Sequence, residues 1–193
     1  MERVIAQWKP KSDLIFLFAN DSVLDFYPKF GFSPAREYQH GIDVRAHGNP
    51  SDVQRLDMSQ PENRRLLADR VSRSVTLSSL SLLQNAGLVM FYAASSMREH
   101  VYYIKSLDAA IFARYAGDTL RLDAVFSPAP VSVERIIGAL AVPATKKAVL
   151  GFTPAETGGF TADLLKEEDT TLFVMGNSPF DHDRLMFPVL SHT

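Results

Sequence analysis

Cysteine is absent from the 193-residue sequence. Its absence excludes disulfide bonds, thiolate catalysis and cysteine-ligated zinc, and it suits a reducing compartment, so we expect a cytoplasmic protein. Long apolar runs are absent as well. None approaches the ~20 residues of a membrane-spanning helix, and the start at Met1-Glu2-Arg3 lacks the apolar segment of a signal peptide. We therefore expect neither a membrane partner nor secretion.

An excess of charge of one sign is also missing. The 20 Lys and Arg residues nearly balance the 22 Asp and Glu residues, which leaves a formal net charge of -2. A chain without a basic field gives no reason to expect nucleic acid as a partner. What the chain does contain is 46% apolar residues, enough for a protein of this length to bury a core.

The first residues show a helical pattern followed by a strand pattern. Val4, Ile5 and Trp8 recur at helical spacing, which predicts a helix over residues 2–9. Asp13 to Ala19 is a nearly continuous apolar run of strand length, typical of a strand that is covered on both faces.

A short polar and aromatic segment follows that strand. The Asn20-Asp21 pair offers an oxygen that can cap a helix. Val23, Tyr27 and Phe30 then fall on one stripe of a short predicted helix, and Gly31 offers the left-handed residue that closes it.

The rest of the chain predicts a mixture of strands and helices. We expect the following elements: a strand within residues 36–44, a helix from the Ser59-Gln60-Pro61-Glu62 turn through Val71, strands at Gly87 to Ala93 and Val101 to Ile104, a hairpin of Ala110 to Tyr115 and Leu120 to Phe126, a helix capped by Ser132, and strands at Ala148 to Phe152 and Thr171 to Met175. Strands alternating with few helices, plus a long hairpin, predict a mixed α/β or α+β sheet protein.

The opening segment resembles part of a known family. A strand, then Asn20, then Phe26-Tyr27 and the ending Lys29-Phe30-Gly31-Phe32 is similar to the C-terminal half of a GNAT acetyltransferase. In that superfamily the pattern is roughly N-x(4–6)-[FL]-Y-x-x-x-G-F, and this sequence satisfies it without a gap. The likeness covers about residues 1–45 and implies the C-terminal half of a GNAT fold.

The resemblance implies transfer of an acetyl group from acetyl-CoA to an amine of unknown identity. A tyrosine can protonate the departing CoA thiolate when a site places it within hydrogen-bond reach, and by resemblance Tyr27 is this candidate catalytic acid. Asn20 then contacts the pantetheine arm, and Phe26 and Lys29 lie near the cofactor. The residues alone leave alternatives open: Tyr27 as an aromatic filling the core, and Asn20 as a plain helix cap.

The likeness is incomplete at its start. The family binds the cofactor pyrophosphate with a [QR]-x-x-G-x-[GA] turn before a long helix, where N–H groups and the helix dipole hold the anion. That turn should precede the helix predicted over residues 2–9. We therefore expect an N-terminally truncated enzyme.

The later part of the chain resembles a second, degenerate GNAT-like domain, which gives a tandem GNAT arrangement. The resemblance rests on the order of hairpin, helix from Ser132 and strand at Ala148, and it predicts domains at residues 1–46 and 53–193 joined by a linker at 47–52. The Ser127-Pro128-Ala129-Pro130-Val131 segment occupies the place of the pyrophosphate turn, and its two prolines leave few N–H groups for phosphate.

The C-terminal residues and one acidic segment are further candidates. In some tandem GNAT proteins the terminal carboxylate enters the first domain's active site, so by resemblance Thr193, or a neutral His192, is a candidate proton acceptor. The alternative is a frayed tail. Asp181-His182-Asp183 has metal-ligand residue types, but consecutive residues of an extended chain point to opposite sides, so we expect no metal.

Two functions remain open at this point. The chain is an acetyl-CoA-dependent N-acetyltransferase, active or inactive as this fragment, or a non-catalytic binding or regulatory module that needs a partner or dimer to complete its sheet. In both cases the run from Asp13 to Ala19 is too apolar to stay uncovered. We therefore expect a homo-oligomer or a partner chain.

Overall fold

The computed structural model describes residues 1–44, 50–82 and 85–191. The α-helices of these ranges are α1 (Glu2–Trp8), α2 (Pro61–Arg73), α3 (Ala86–Ala94), α4 (Val133–Leu140) and α5 (Phe180–Asp183). The strands are β1 (Leu14–Ala19), β2 (Ser33–Ala35), β3 (Tyr38–Asp43), β4 (Val53–Arg55), β5 (Val101–Ile104), β6 (Ala109–Ala116), β7 (Thr119–Phe126), β8 (Lys147–Leu150), β9 (Thr161–Leu164) and β10 (Thr171–Gly176). The predicted mixed α/β class is confirmed.

The chain divides into two compact units. Unit 1 comprises Met1–Tyr38 and Asp163–Met186, and unit 2 comprises Gln39–Ala162 and Phe187–Thr193. These units do not coincide with the predicted segments 1–46 and 53–193, because residues 163–186 pack with the N-terminal residues. The predicted domain limits stay a prediction, and residues 47–49 of the predicted linker lie outside the described ranges.

Unit 1 is built on a three-stranded antiparallel sheet in the order β1-β10-β2. The predicted strand β1 pairs with β10 along its whole length, from Leu14 opposite Gly176 to Ala19 opposite Thr171. On its other side β1 has no neighbouring strand in the described part of the chain. The strand therefore presents an open edge, whose N–H and C=O groups can pair with another strand.

The expectation that β1 is covered on both faces is wrong. Ala19 is buried, but the Phe16 side chain is 40% exposed. The neighbouring helix α1 contains no buried residue, and its Val4 and Trp8 are also exposed. The other residues of β1 are half-buried or buried, so the strand is only partly covered on the face that carries Phe16.

The segment after β1 forms two 3₁₀ turns, Asp21–Val23 and Tyr27–Phe30, where the sequence predicts one short helix. Pro28 lacks an N–H, so it cannot donate the bond that would continue an α-helix through this point. The predicted closing residue is confirmed: Gly31 has φ +87° and donates its N–H to the carbonyls of Pro28 and Tyr27.

Unit 2 is built on a seven-stranded mixed sheet in the order β4-β5-β6-β7-β8-β3-β9. The unit boundaries fall within two of these strands, so unit 2 contains β3 from Gln39 onward and β9 up to Ala162. The predicted hairpin is confirmed as β6 and β7, which pair from Ala110 opposite Phe126 to Ala116 opposite Thr119. β7 and β8 are parallel, and α4 makes the crossover between them.

Two apolar clusters cover the two faces of this sheet. Successive residues of β6 alternate between them: Ile111 packs in the cluster with α4, whereas Ala110 and Phe112 pack in the cluster with α2 and α3. The predicted stripe of α4 is confirmed, since Val133, Ile136, Ile137 and Leu140 are all buried. No helix in the described ranges is long and apolar enough to cross a membrane.

The strand predicted at Gly87 to Ala93 is wrong, because these residues lie in α3. A short apolar run fits either a covered strand or a buried helix by pattern alone. The tertiary contacts decide for the helix: Val89 and Ala93, one turn apart, are buried in the α2–α3 cluster, while Phe91 on the other side is 63% exposed. The predicted helix ending at Val71 extends to Arg73 as α2.

Candidate functional site

Tyr27 lies in unit 1 at the start of the second 3₁₀ turn after β1. Its ring packs against three other rings, with centroids 5.3 Å from Phe26, 6.2 Å from Phe32 and 5.6 Å from Phe173. The predicted stripe is confirmed, because Val23, Tyr27 and Phe30 all pack on the cluster of buried Ala19, Phe32 and Phe173. Tyr27 itself is only half-buried. A tyrosine of this kind can serve the core with its ring and still present its hydroxyl.

The three predicted cofactor contacts lie on the same segment as Tyr27, and all three are exposed. Asn20 makes no cap bond with its side chain; its Oδ1 accepts a hydrogen bond from the Ser22 hydroxyl at 3.3 Å. The ring of Phe26 lies 5.0 Å from that of Phe30, and Lys29 follows in the next turn. The local backbone brings these residues together, and Thr193 lies outside the described residues.

A long-range hydrogen bond fixes the start of this segment. The Asp21 N–H donates to Oδ1 of Asp169 at 2.7 Å, and both residues belong to unit 1. A charged acceptor makes this a strong hydrogen bond. Asp169 was missed as a positioning residue, because it lies in the acidic Lys166–Asp169 stretch and only the fold brings it to Asp21.

The Ser127–Val131 segment of unit 2 has little capacity left to hold a phosphate. Pro128 and Pro130 have no N–H. The Ser127 N–H donates to Oγ of Ser74 at 3.2 Å, and the Ala129 N–H donates to Oγ of Ser127 at 3.3 Å. Most donors of this turn therefore already have partners within unit 2.

The helix that follows the segment is capped in a way that also disfavours phosphate. Oγ of Ser132 accepts the Arg135 N–H at 3.3 Å, as predicted for an N-cap serine. The Ser132 hydroxyl in turn donates to the Glu134 carboxylate at 2.5 Å. The first turn of α4 therefore already carries a negative charge at the end where its dipole would attract an anion.

A pocket of about 410 Å³ opens in unit 2, and we call it the unit 2 pocket. Its described lining comes from the end of α2 and the chain after it, the start of α3, the end of β7, and single residues further on, including Phe152, Pro188 and Leu190. Sequence reasoning missed this pocket. The only signal is a hydroxyl residue at every second position over Ser72, Ser74, Thr76 and Ser78.

The chain near its C-terminus is fixed as far as Ser191. The Val189 N–H donates to the Gly151 carbonyl at 2.8 Å, and Leu190 is buried in the cluster of α2 and α3. The alternative of a frayed tail is therefore wrong for Phe187 to Ser191, because apolar burial and a backbone hydrogen bond hold this part. The predicted role of Thr193, like that of His192, falls outside the described residues.

The expectation that Asp181-His182-Asp183 lies in an extended chain is wrong, because these residues are in α5, and Asp181 has a different partner from the other two. Oδ1 of Asp181 accepts the Arg36 Nε–H at 2.7 Å, and His182 Nδ1 lies 2.5 Å from Oδ1 of Asp183. In the described part of the chain, no three His, Asp or Glu side chains form a group that could hold a metal ion.

Of the comparisons with known proteins, only the one with solved structures gives matches. No protein-family model and no curated protein matches the sequence. A GCN5-related N-acetyltransferase from Sphaerobacter thermophilus matches at 10% identity and TM-score 0.42, over 83% of this chain and 59% of that one. A GCN5-related N-acetyltransferase from Kribbella flavida matches at 12% identity and TM-score 0.46, over 90% and 46%. A probable N-acyltransferase of unknown function from Enterococcus faecalis matches at 13% identity and TM-score 0.47, over 90% and 47%. The chain thus spans about half the length of these structures.

Proposed function

We propose that this chain is part of a GNAT-type N-acetyltransferase that transfers an acetyl group from acetyl-CoA to an amine. The Asn20 to Phe32 pattern supports this proposal, and one geometric observation carries it. The turn with Tyr27 is the second 3₁₀ turn after β1, the strand whose outer edge is open in the described part of unit 1. A thioester held along that edge would lie next to the turn.

In the proposed reaction the neutral amine attacks the carbonyl carbon of the thioester. A C–N bond forms, the C–S bond breaks, and the electron pair leaves on the CoA sulfur. Tyr27 donates its hydroxyl proton to that thiolate as the general acid. The amine loses its own proton to a base, for which the Thr193 carboxylate or a neutral His192 is proposed. Acetylated amine and CoA are the products.

The exposed residues of the same segment are proposed to hold the cofactor. The Asn20 amide offers both a donor and an acceptor to the pantetheine arm. Lys29 brings a positive charge that attracts the cofactor phosphates, and Phe26, 44% exposed, offers an apolar face. None of these side chains requires a metal ion for its role.

The open edge of β1 is proposed to pair with a strand of a second copy or of a partner chain. Of these two, only a partner chain of different sequence would bring a new pyrophosphate site, because a second copy carries the same Ser127–Val131 segment. Support comes from the Ser127–Val131 segment, most of whose N–H donors are already used, and from the partly exposed apolar side chains of Val4 and Trp8. Burial of such side chains on association stabilises the complex by roughly 25 cal/mol per Å² of apolar surface.

Self-association through β1 predicts a melting temperature that depends on protein concentration. By mass action, a hundredfold increase in concentration stabilises a dimer by about 2.7 kcal/mol, or roughly 5–10 °C for a chain of this size. Differential scanning fluorimetry measures the melting temperature, and sedimentation equilibrium measures the self-association.

Phe16→Lys should abolish the dependence of the melting temperature on protein concentration, because a charged side chain blocks an edge strand. Leu164→Lys, at a similarly exposed apolar residue, is the matched control. A concentration-independent melting temperature contradicts the homodimer and leaves a different partner chain.

Acetyl-CoA is expected to stabilise the protein. At a concentration a hundred times the dissociation constant the gain is about 2.7 kcal/mol, again roughly 5–10 °C in melting temperature. Adenosine diphosphate, which lacks the pantetheine arm, should give a smaller shift. Lys29→Glu should reduce the acetyl-CoA shift by repelling the phosphates, whereas Lys9→Glu, at another exposed lysine of unit 1, should not.

A non-catalytic binding or regulatory module is the second candidate. The observation in its favour is the Ser127–Val131 segment, whose hydrogen-bonded N–H groups leave little capacity there to hold a phosphate. In this alternative the open edge of β1 serves only to bind a partner. No stabilisation by millimolar acetyl-CoA, together with a concentration-dependent melting temperature, would favour this function over acetyl transfer.

A further inference from the structure

The unit 2 pocket is not used in the proposed acetyl transfer. The one charged side chain in its described lining is neutralised by two arginines. Among its described lining residues, Asp123 alone has an ionisable side chain. Its carboxylate is fully buried and accepts hydrogen bonds from Arg114 at 2.7 and 2.9 Å and from Arg121 at 2.9 Å. A charged ligand would therefore enter without a counter-charge in the lining, which costs several kcal/mol in a desolvated site.

The serine hydroxyls of the pocket are largely used within the protein. Ser72 and Ser74 donate to backbone carbonyls at 2.9 and 3.1 Å, and Ser74 also accepts the Ser127 N–H. The Oγ atoms of Ser78 and Ser81 lie 2.7 Å apart, and the Leu80 and Ser78 carbonyls lie 2.9 and 3.4 Å from them, so one of these hydroxyls donates to the other or both donate to the backbone. These hydroxyls therefore favour no strongly polar ligand, because a new partner would have to displace an existing bond.

The remaining surface of the pocket is mostly apolar, with one available amide. Val75, Leu77, Val125 and Phe152 contribute aliphatic and aromatic side chains. Asn85 precedes α3 without making a cap bond from its side chain, so its amide can bind a single polar group of a ligand. A largely apolar pocket with a few polar groups, in the 300–1,000 Å³ range, is typical of small-molecule sites.

We propose that the unit 2 pocket binds an uncharged, mainly apolar small molecule that carries one hydrogen-bonding group. The apolar part lies against the aliphatic and aromatic lining, and the polar group bonds to the Asn85 amide. The described lining residues all belong to unit 2, whereas the Tyr27 segment belongs to unit 1. Probe binding can therefore be measured without acetyl-CoA.

The neutral fluorophore N-phenylnaphthylamine tests this site in the intact protein. We expect a saturable rise in fluorescence with one molecule bound per chain. Decanol should displace the probe about tenfold or more better than decanoate or decylammonium at neutral pH, because burying either charge is costly. Equal displacement by the three competitors, or no saturable binding, would overturn the proposal.

Two alanines at the ends of α3 give matched variants. Ala86 lines the pocket and Ala94 does not, and both are exposed, so a larger side chain is tolerated at each. Ala86→Phe should weaken probe binding about tenfold or more by filling the pocket, and Ala94→Phe should leave it unchanged. Ala86→Leu, with a smaller side chain, should also weaken probe binding. It replaces Ala86→Phe as the test variant if Ala86→Phe does not fold. Unchanged binding in the Ala86 variant would disprove the site.

The exposed apolar side of α3 needs its own control, because N-phenylnaphthylamine also binds apolar surfaces. Phe91 is the most exposed large apolar side chain of that helix and does not line the pocket. Phe91→Ser should leave the affinity for the probe unchanged. Loss of binding in Phe91→Ser would place the probe on the helix surface and overturn the proposal.

Discussion

Replacing Tyr27 by phenylalanine is expected to lower the rate of acetyl transfer by about 10²- to 10⁴-fold, the usual contribution of a general acid. The change removes only the hydroxyl oxygen. The ring contacts with Phe26, Phe32 and Phe173, at centroid distances of 5.3 to 6.2 Å, can all remain. The melting temperature should therefore stay within about 2 °C of the wild type.

The absence of cysteine makes the assay direct. A thiol-reactive dye detects only the CoA that the reaction releases, because the protein contributes no thiol of its own. The measurement is the rate of CoA release from acetyl-CoA with a panel of primary amines. A loss in kcat with little change in KM is expected if Tyr27 acts in the transition state, whereas a rise in KM alone indicates a binding role.

Tyr38 provides the matched control for this variant. It lies in the same unit, its ring is 5.9 Å from the Arg184 guanidinium, and it is assigned no role in the proposed reaction. Tyr38→Phe should retain the full rate. Full activity in Tyr27→Phe would remove this tyrosine from the mechanism, and an equal loss in both variants would point to a general structural effect.

Replacing Asp123 by alanine is expected to destabilise the protein by about 3 kcal/mol, in line with the loss of one partner from a buried ion pair. The carboxylate is fully buried and is shared by Arg114 and Arg121, and its hydrogen bond raises the pKa of the Arg114 guanidinium above its ordinary value. The two arginines lie directly opposite each other on β6 and β7, so without Asp123 they repel. Partial exposure of both guanidinium groups limits the loss.

Asp118 in the turn of the same hairpin is the control for this measurement. Its Oδ2 lies 3.8 Å from Lys146 Nζ, and both side chains are exposed. Asp118→Ala should therefore change the free energy of unfolding by about 0.5 kcal/mol or less. Urea unfolding followed by circular dichroism gives both values. Equal urea midpoints for the two variants would show that the buried carboxylate is not a stabilising centre.

The elements whose signals are local were predicted from the sequence. The α4 stripe needs only the 3.6-residue period and a capping serine, and the β6–β7 hairpin needs only two apolar runs around a Gly-Asp turn. Gly31 was predicted as a left-handed closing residue, and it has φ +87°. In these cases the residues that determine the structure lie within a few positions of one another.

The elements whose state depends on distant neighbours were not predicted. The Gly87 to Ala93 run has no period that separates strand from helix, and contacts with α2 decide for the helix. The unit 2 pocket was also missed, because its lining combines residues as far apart as Val71 and Leu190. No local pattern records such a convergence.

The amino-acid sequence alone determined the closing position at Gly31, the α4 stripe and the hairpin, because hydrogen bonds and side-chain spacing within short segments decide them. Only the tertiary structure decided that β10 lies between β1 and β2, that the other edge of β1 is open, and that Asp123 neutralises two arginines. These features depend on which distant segments meet. Strand pairing uses backbone groups that every residue carries, so the sequence does not encode the partner locally.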